Sequence, residues 1–230
     1  MFYFDKNGHP KIISQEEMIG SIIPNPNNFM PEVPNPNHFQ HREIMNKKDG
    51  FSVVKTKPYK QSCPSMTKKE EKKSILKTKK DLQKKLKEKQ EALKKWDKNA
   101  KADVKKWFGD TSEKTKKILM TRIDKMSKLL DSYTVDNFKP MKDPEGTYAQ
   151  VNPDNTKIIE LGYAFCDASE KEKMVTLAHE MSHFDNIGGT NGKKPYTRER
   201  YGEQTAKDLA KKDSNYALNN AENYGYYLGS

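Results

Sequence analysis

The chain has 230 residues, of which 33% are hydrophobic and 33% charged, and its formal charge is +11. That balance excludes a single core drawing evenly on the whole chain, so one part is expected to fold tightly and another to be solvated or extended. No apolar run is long enough to cross a bilayer, and two cysteines, Cys63 and Cys166, are too few for a disulfide framework and too far apart for a zinc knuckle.

The positive charge is local. Between Lys55 and Lys106 there are 20 lysines against 7 acidic residues, so the rest of the chain sums to −2. A lysine-rich solvated helix face accounts for this, and nucleic acid or membrane is not the expected partner. Met1-Phe2-Tyr3-Phe4-Asp5 lacks a basic stretch followed by an apolar one. The expectation is export by a route that does not read such a signal, a mature form, or retention in the cytosol. Cys63 and Cys166 fit one bridge or two buried thiols equally well.

Residues 1–66 read as an irregular arm. Ile23-Pro24-Asn25-Pro26-Asn27-Asn28-Phe29 is nearly repeated as Val33-Pro34-Asn35-Pro36-Asn37-His38-Phe39. Alternating prolines remove amide donors and favour polyproline geometry over helix or central strand. An arm docked on its own domain, a linker, and a motif for a partner (delivery machinery, an immunity protein or an inhibitor) all fit. From Thr67 to Phe108, Ile75, Leu76, Leu82, Leu86, Leu93, Trp96, Val104 and Trp107 recur at helical spacing among lysines and glutamates, with a break expected near Asn99. A second helix is expected over Ser112–Leu130, with Ile118, Leu119, Ile123, Met126 and Leu130 on one face.

Thr147–Val151 and Lys157–Leu161 alternate around Asn152-Pro153-Asp154-Asn155, which predicts a β-hairpin. Ser169 and Glu172 form a capping box at the start of the next helix. That helix runs into His179-Glu180-Met181-Ser182-His183, and Gly188-Gly189 ends the segment. Helices over Thr197–Lys211 and Ser214–Tyr227 complete the expected order.

His179 and His183 stand one turn apart on a helix, so both imidazoles can reach one zinc ion. Glu180 beside them suits a general base acting on a metal-activated water. A catalytic zinc site takes three protein ligands. No histidine follows His183, so the third is expected to be a carboxylate from Asp185, Glu199, Glu203, Asp208 or Glu222.

Several segments match one family in order and approximate spacing over some 165 residues. They are Lys106-Trp107-Phe108-Gly109, Gly146-Thr147-Tyr148-Ala149, Ala164-Phe165, Thr176 to Phe184, Gly188-Gly189-Thr190, Tyr201-Gly202-Glu203-Gln204, Leu209-Ala210 and Asn220-Ala221-Glu222-Asn223-Tyr224-Gly225-Tyr226-Tyr227. With these the chain resembles the aspzincin metallopeptidases, the family of deuterolysin and the peptidyl-Lys metalloendopeptidases.

The resemblance implies a zincin-like α+β fold, mostly helical with a small β-hairpin or sheet, over residues 67–230. It implies Zn2+ as cofactor, a protein or peptide substrate, and hydrolysis of internal peptide bonds. The family pattern GTxDxxY supplies an aspartate ligand and a catalytic tyrosine. Here Gly192 or Arg198 occupies the aspartate position, depending on how the insertion is placed. Glu199, one residue away, is the expected replacement, ahead of Glu203 and Asp185. Tyr201 carries over as the hydrogen-bond donor to the oxyanion. A delivered bacterial effector or toxin would suit the Pro-Asn arm. The alternative is a catalytically degenerate binding protein on this scaffold, using the lysine-rich helix for nucleic acid or anionic membrane.

Overall fold

Thr67 opens the first long helix by accepting a hydrogen bond from the Glu70 amide while Glu70 reaches back to the Thr67 amide. In the computed structural model the described residues are 60–190 and 198–230, with the backbone of two short strands near the amino terminus. The chain divides into two units, 1–53 and 54–230. In the first, β1 (Tyr3–Phe4) pairs antiparallel with β2 (Pro10–Lys11), so the arm is not irregular throughout. The two Pro-Asn units, the 193–196 loop and the expected helix start at Thr197 lie outside the described residues.

The second unit begins with a short lead-in fastened to the helix that follows it. The Glu71 carboxylate, fully buried on α1 (Lys68–Lys95), accepts hydrogen bonds from the amides of Ser62, at 2.8 Å, and Cys63, at 3.3 Å. Cys63 is bonded to Cys166. The lysine-rich stretch expected to be helical over 67–108, with a break near Asn99, is two helices whose break falls at Trp96 and Asp97. Trp96 takes a left-handed conformation, and Asp97 then caps α2 (Lys98–Phe108) by accepting from the Ala100 amide at 2.9 Å.

On α1 the buried stripe is Glu71, Ile75, Thr78, Leu82, Leu86, Lys89 and Leu93, at steps of three and four. Leu76 falls off it and is 46% exposed, so that member of the expected stripe is corrected. Ser112 caps α3 (Glu113–Ser132), which buries Leu119, Ile123, Met126 and Leu130.

The expected hairpin pairs β4 (Ala149–Gln150) antiparallel with β5 (Ile159–Leu161). A third strand, β3 (Phe138–Pro140), lies parallel to β5 on its other side. It had no sequence signal beyond three residues ending in a proline, which a strand at the sheet edge tolerates.

After α4 (Tyr163–Asp167) comes α5 (Glu170–His183), started by the Ser169–Glu172 capping box. The carboxy-terminal region has three helices rather than two: α6 (Glu203–Lys212), α7 (Ser214–Ala217) and α8 (Ala221–Gly229). The break between α7 and α8 falls at Asn220, which is extended because its side chain bonds a distant backbone, as described below.

The closest pairing is α5 against α8, with α1 on α3 and α2 on α6. Gly225 permits it, since a Cβ there would meet the Val175 carbonyl oxygen at 2.9 Å. Phe108 fixes α2 to the same helix, with its ring 5.1 Å from Tyr224 and 5.3 Å from Tyr227. Such pairs add about 0.5–1.5 kcal/mol each beyond the area they bury.

Candidate active site

His179, Glu180 and His183 project from the last turn and a half of α5, with His179 and Glu180 buried. Their ligating atoms lie within 4.8 Å of one another, the one such cluster among the described residues. The imidazoles are 4.9 Å apart and nearly perpendicular.

Each histidine is held from behind. His179 Nδ1 is 2.7 Å from Glu222 Oε2. His183 Nδ1 is 2.9 Å from the Thr190 carbonyl. A carbonyl, and a carboxylate once ionised, only accepts, so both Nδ1 atoms carry a proton, and in the neutral imidazole the lone pair is then on Nε2. Local sequence makes this possible. Gly189 takes φ of 57°, a conformation side chains disfavour, and turns the chain back so that the Thr190 amide donates to the Ser182 carbonyl. The Ser182 and Thr190 hydroxyls then meet at 2.7 Å, and Ser182 also donates to the His179 carbonyl.

The segment before α6 is laid along the start of α8. Arg200 donates its amide to Asn220 Oδ1 at 2.8 Å and accepts Asn220 Nδ2 at 3.0 Å. Asn220 in turn donates to Asn223, whose amide reaches the carbonyls of Trp107 and Ala206. Glu199 Oε1 accepts the Ala221 amide at 2.7 Å, and Glu222 Oε1 accepts the Gly202 amide at 2.8 Å.

This stitching brings Glu199 Oε2 to 3.7 Å from His183 Nε2, the nitrogen that faces the site. Glu222 stands at the other kind of nitrogen, behind His179. Glu203 and Asp208 are engaged on α6 itself, with Lys207 for the first and Gln204 and Lys211 for the second. Asp185 is exposed in the turn after α5, where its amide donates to the Pro153 carbonyl. Tyr201 is 66% exposed, and its ring stacks on His179 at 5.8 Å between centroids.

Sequence reasoning placed Glu222 only among possible ligands and missed it as the partner of His179. It gave Thr190, Asn220 and Asn223 no role. The Asn220-Ala221-Glu222-Asn223 run was the signal available, because amide and carboxylate side chains at a helix start must find partners if buried.

Burial and neighbouring charge set the protonation of the site. Desolvation pushes Glu180 up to about 7, helped by Glu199 and Glu222 and opposed by His179. Desolvation and the nearby His179 depress His183 to about 4. Burial works against charging His179 too, but the Glu222 hydrogen bond and the carboxylates around it raise its pKa overall. Burial, then Glu199, Glu180 and Glu222, raise the Tyr201 phenol.

The sequence pattern of the aspzincins, described as lysine-specific metallo-endopeptidases, matches residues 93–229. The chain belongs to the aspzincin family. Among the relatives of this aspzincin, a peptidyl-Lys metalloendopeptidase of Pleurotus ostreatus is 35% identical over 44% of the chain and 56% of the relative. Another of the same name, from Grifola frondosa, is 39% identical over 36% of the chain and 23% of the relative. An extracellular protease of Aeromonas hydrophila is 34% identical over 35% and 22%. The chain thus matches about half of the first of these relatives and under a quarter of the other two.

In structure, the aspzincin is similar to a zinc peptidase from Grifola frondosa, with a TM-score of 0.60 and 25% identity over 71% of this chain and 96% of that one. The zincin-like α+β expectation therefore holds. Zinc is the family's metal. The donor set here suits it: two imidazoles whose Nδ1 atoms face acceptors, so that the neutral rings present their lone pairs on Nε2, with a part-buried carboxylate oxygen beside them.

Proposed function

We propose that the chain is a zinc-dependent endopeptidase in which His179, His183 and Glu199 hold the metal and Glu180 is the general base. One observation carries the reading. Both histidines of the His179-Glu180-Met181-Ser182-His183 motif are tied through Nδ1 to acceptors, which readies both Nε2 atoms for one ion. Zinc, when bound, supplies Lewis acidity toward a peptide carbonyl and toward water.

Glu180, ionised beside the metal, takes a proton from the attacking water and returns it to the leaving amine. Tyr201 keeps its phenolic proton and donates a hydrogen bond to the oxyanion that forms. The substrate is a protein or peptide. The lysine preference in the relatives' names is not carried over. Both oxygens of Glu222 and one of Glu199 are already engaged, and Glu203 is paired with Lys207.

Action outside the cytosol is supported by the buried Cys63–Cys166 bond, because such bonds persist in oxidising compartments. A delivered effector or toxin fits that setting.

The test is cleavage of an unfolded protein by the zinc-loaded chain and by its Glu180→Gln variant, with fragments read by mass spectrometry. The variant keeps its zinc and its fold and loses at least about a hundredfold in turnover. Near-normal cleavage by the variant would sink the assignment of the base.

A further inference from the structure

We propose that Glu222 is a positioning residue that joins the zinc site to the turn carrying Tyr201, an inference that rests on the endopeptidase reading above. Its carboxylate is buried and divides its two oxygens between two donors. Oε2 lies 2.7 Å from His179 Nδ1, and Oε1 accepts the Gly202 amide at 2.8 Å. The first contact holds the His179 proton on Nδ1, so the Nε2 lone pair is directed at the metal and the ring cannot turn. The second holds the backbone next to Tyr201, whose ring stacks on His179.

The carboxylate is itself fixed. It sits on the first turn of α8, where the helix dipole favours negative charge. The residues on either side are spoken for: the Ala221 amide donates to Glu199, and the Asn223 side chain donates to the Trp107 and Ala206 carbonyls. Two N–H donors converge on one side chain, and a carboxylate is the group that accepts from both.

Glu222→Gln separates this role from space filling. The amide has the same shape as the acid, but its NH2 group must face one of the two donors, so one contact is lost and one donor repels. In the 230-residue chain carrying this change, zinc affinity measured against a competing chelator should fall by at least about tenfold, the scale of losing a histidine's outer partner. If Glu222 only fills space, the isosteric amide leaves zinc affinity within twofold of the parent, and the inference is overturned.

A second measurement stands whether or not the variant folds. In the zinc-loaded parent, nuclear magnetic resonance should find both the His179 Nδ1 proton and the Gly202 amide proton slow to exchange with solvent. Rapid exchange of either overturns the inference. A parent that binds no zinc at all defeats the endopeptidase reading and this inference with it, whereas zinc binding unchanged by Glu222→Gln defeats this inference alone.

Discussion

Glu199 is the ligand we propose in place of the family aspartate, because neither Gly192 nor Arg198, the two residues that can stand in the aspartate register, offers one. The extra methylene of glutamate and the hydrogen bond from the Ala221 amide together bring Oε2 to 3.7 Å from His183 Nε2. Replacing Glu199 by alanine is therefore expected to weaken zinc binding by orders of magnitude. Glu203→Ala and Asp185→Ala leave it intact, as chelator competition will show. Loss of zinc from either of those variants, with retention in Glu199→Ala, would move the ligand elsewhere.

Glu180 yields a prediction in pH. In the zinc-free chain its carboxyl holds a proton up to about 7 because burial disfavours the charged form. A nearby cation favours that form, so zinc lowers the midpoint. Since the base must be ionised to accept a proton, kcat/KM rises with pH along an acid limb lying below 7. Isotope-edited infrared titration of the zinc-free protein measures the starting point directly. A midpoint near the ordinary value of 4.5 would contradict the burial argument.

Among the elements, the α5–α8 contact decides whether the histidines and the residues behind them meet. Gly225 lies at its narrowest point, with the Val175 carbonyl oxygen at 2.9 Å and Val175 Cγ1 at 3.1 Å from where a Cβ would stand. Alanine is the better helix former by about 1 kcal/mol, yet overpacking costs about 1–3 kcal/mol. Gly225→Ala is thus expected to destabilise the protein in urea unfolding and to loosen zinc binding as Glu222 moves from His179. A stabilised variant would show that α8 has room to shift.

The same contact marks the limit of what the sequence discloses. The α5 capping box, the paired histidines and the hairpin were legible because each is a local pattern of spacing or turn chemistry. The α1–α2 junction was legible only roughly, since helical periodicity continues across Trp96 and the Asp97 cap is one residue. The break at Asn220 and the duties of Glu222 and Thr190 were not legible. They are set by partners 20, 43 and 7 residues away, and by backbone atoms that no side-chain pattern records.

Within the second unit, the strongly basic pair α1 and α2 precedes a remainder of the chain that is nearly neutral. On α1, Lys89 turns inward to Asp103 at 2.7 Å and to Ser230, while Lys77 reaches Asp81 and Glu170 at the surface. A face spent on such contacts and on solvent is expected to bind DNA or anionic vesicles negligibly at physiological ionic strength. Tight binding that collapses with added salt would instead reveal a polyanion site.

The Cys63–Cys166 bond closes a loop spanning 103 residues and anchors the lead-in to α1 beside the helix that precedes α5. Replacing both cysteines by serine should cost about 2–5 kcal/mol of stability in chemical denaturation. An unchanged unfolding midpoint would show that Glu71 alone secures that segment.

Zinc held by His179, His183 and Glu199 is open to elemental analysis of purified protein after zinc reconstitution. About one zinc per chain is expected in the parent and in Glu180→Gln, and almost none in Glu199→Ala, in line with the three protein ligands a catalytic zinc requires. A parent without zinc, or a Glu199→Ala variant that retains it in full, would rule out that ligand set.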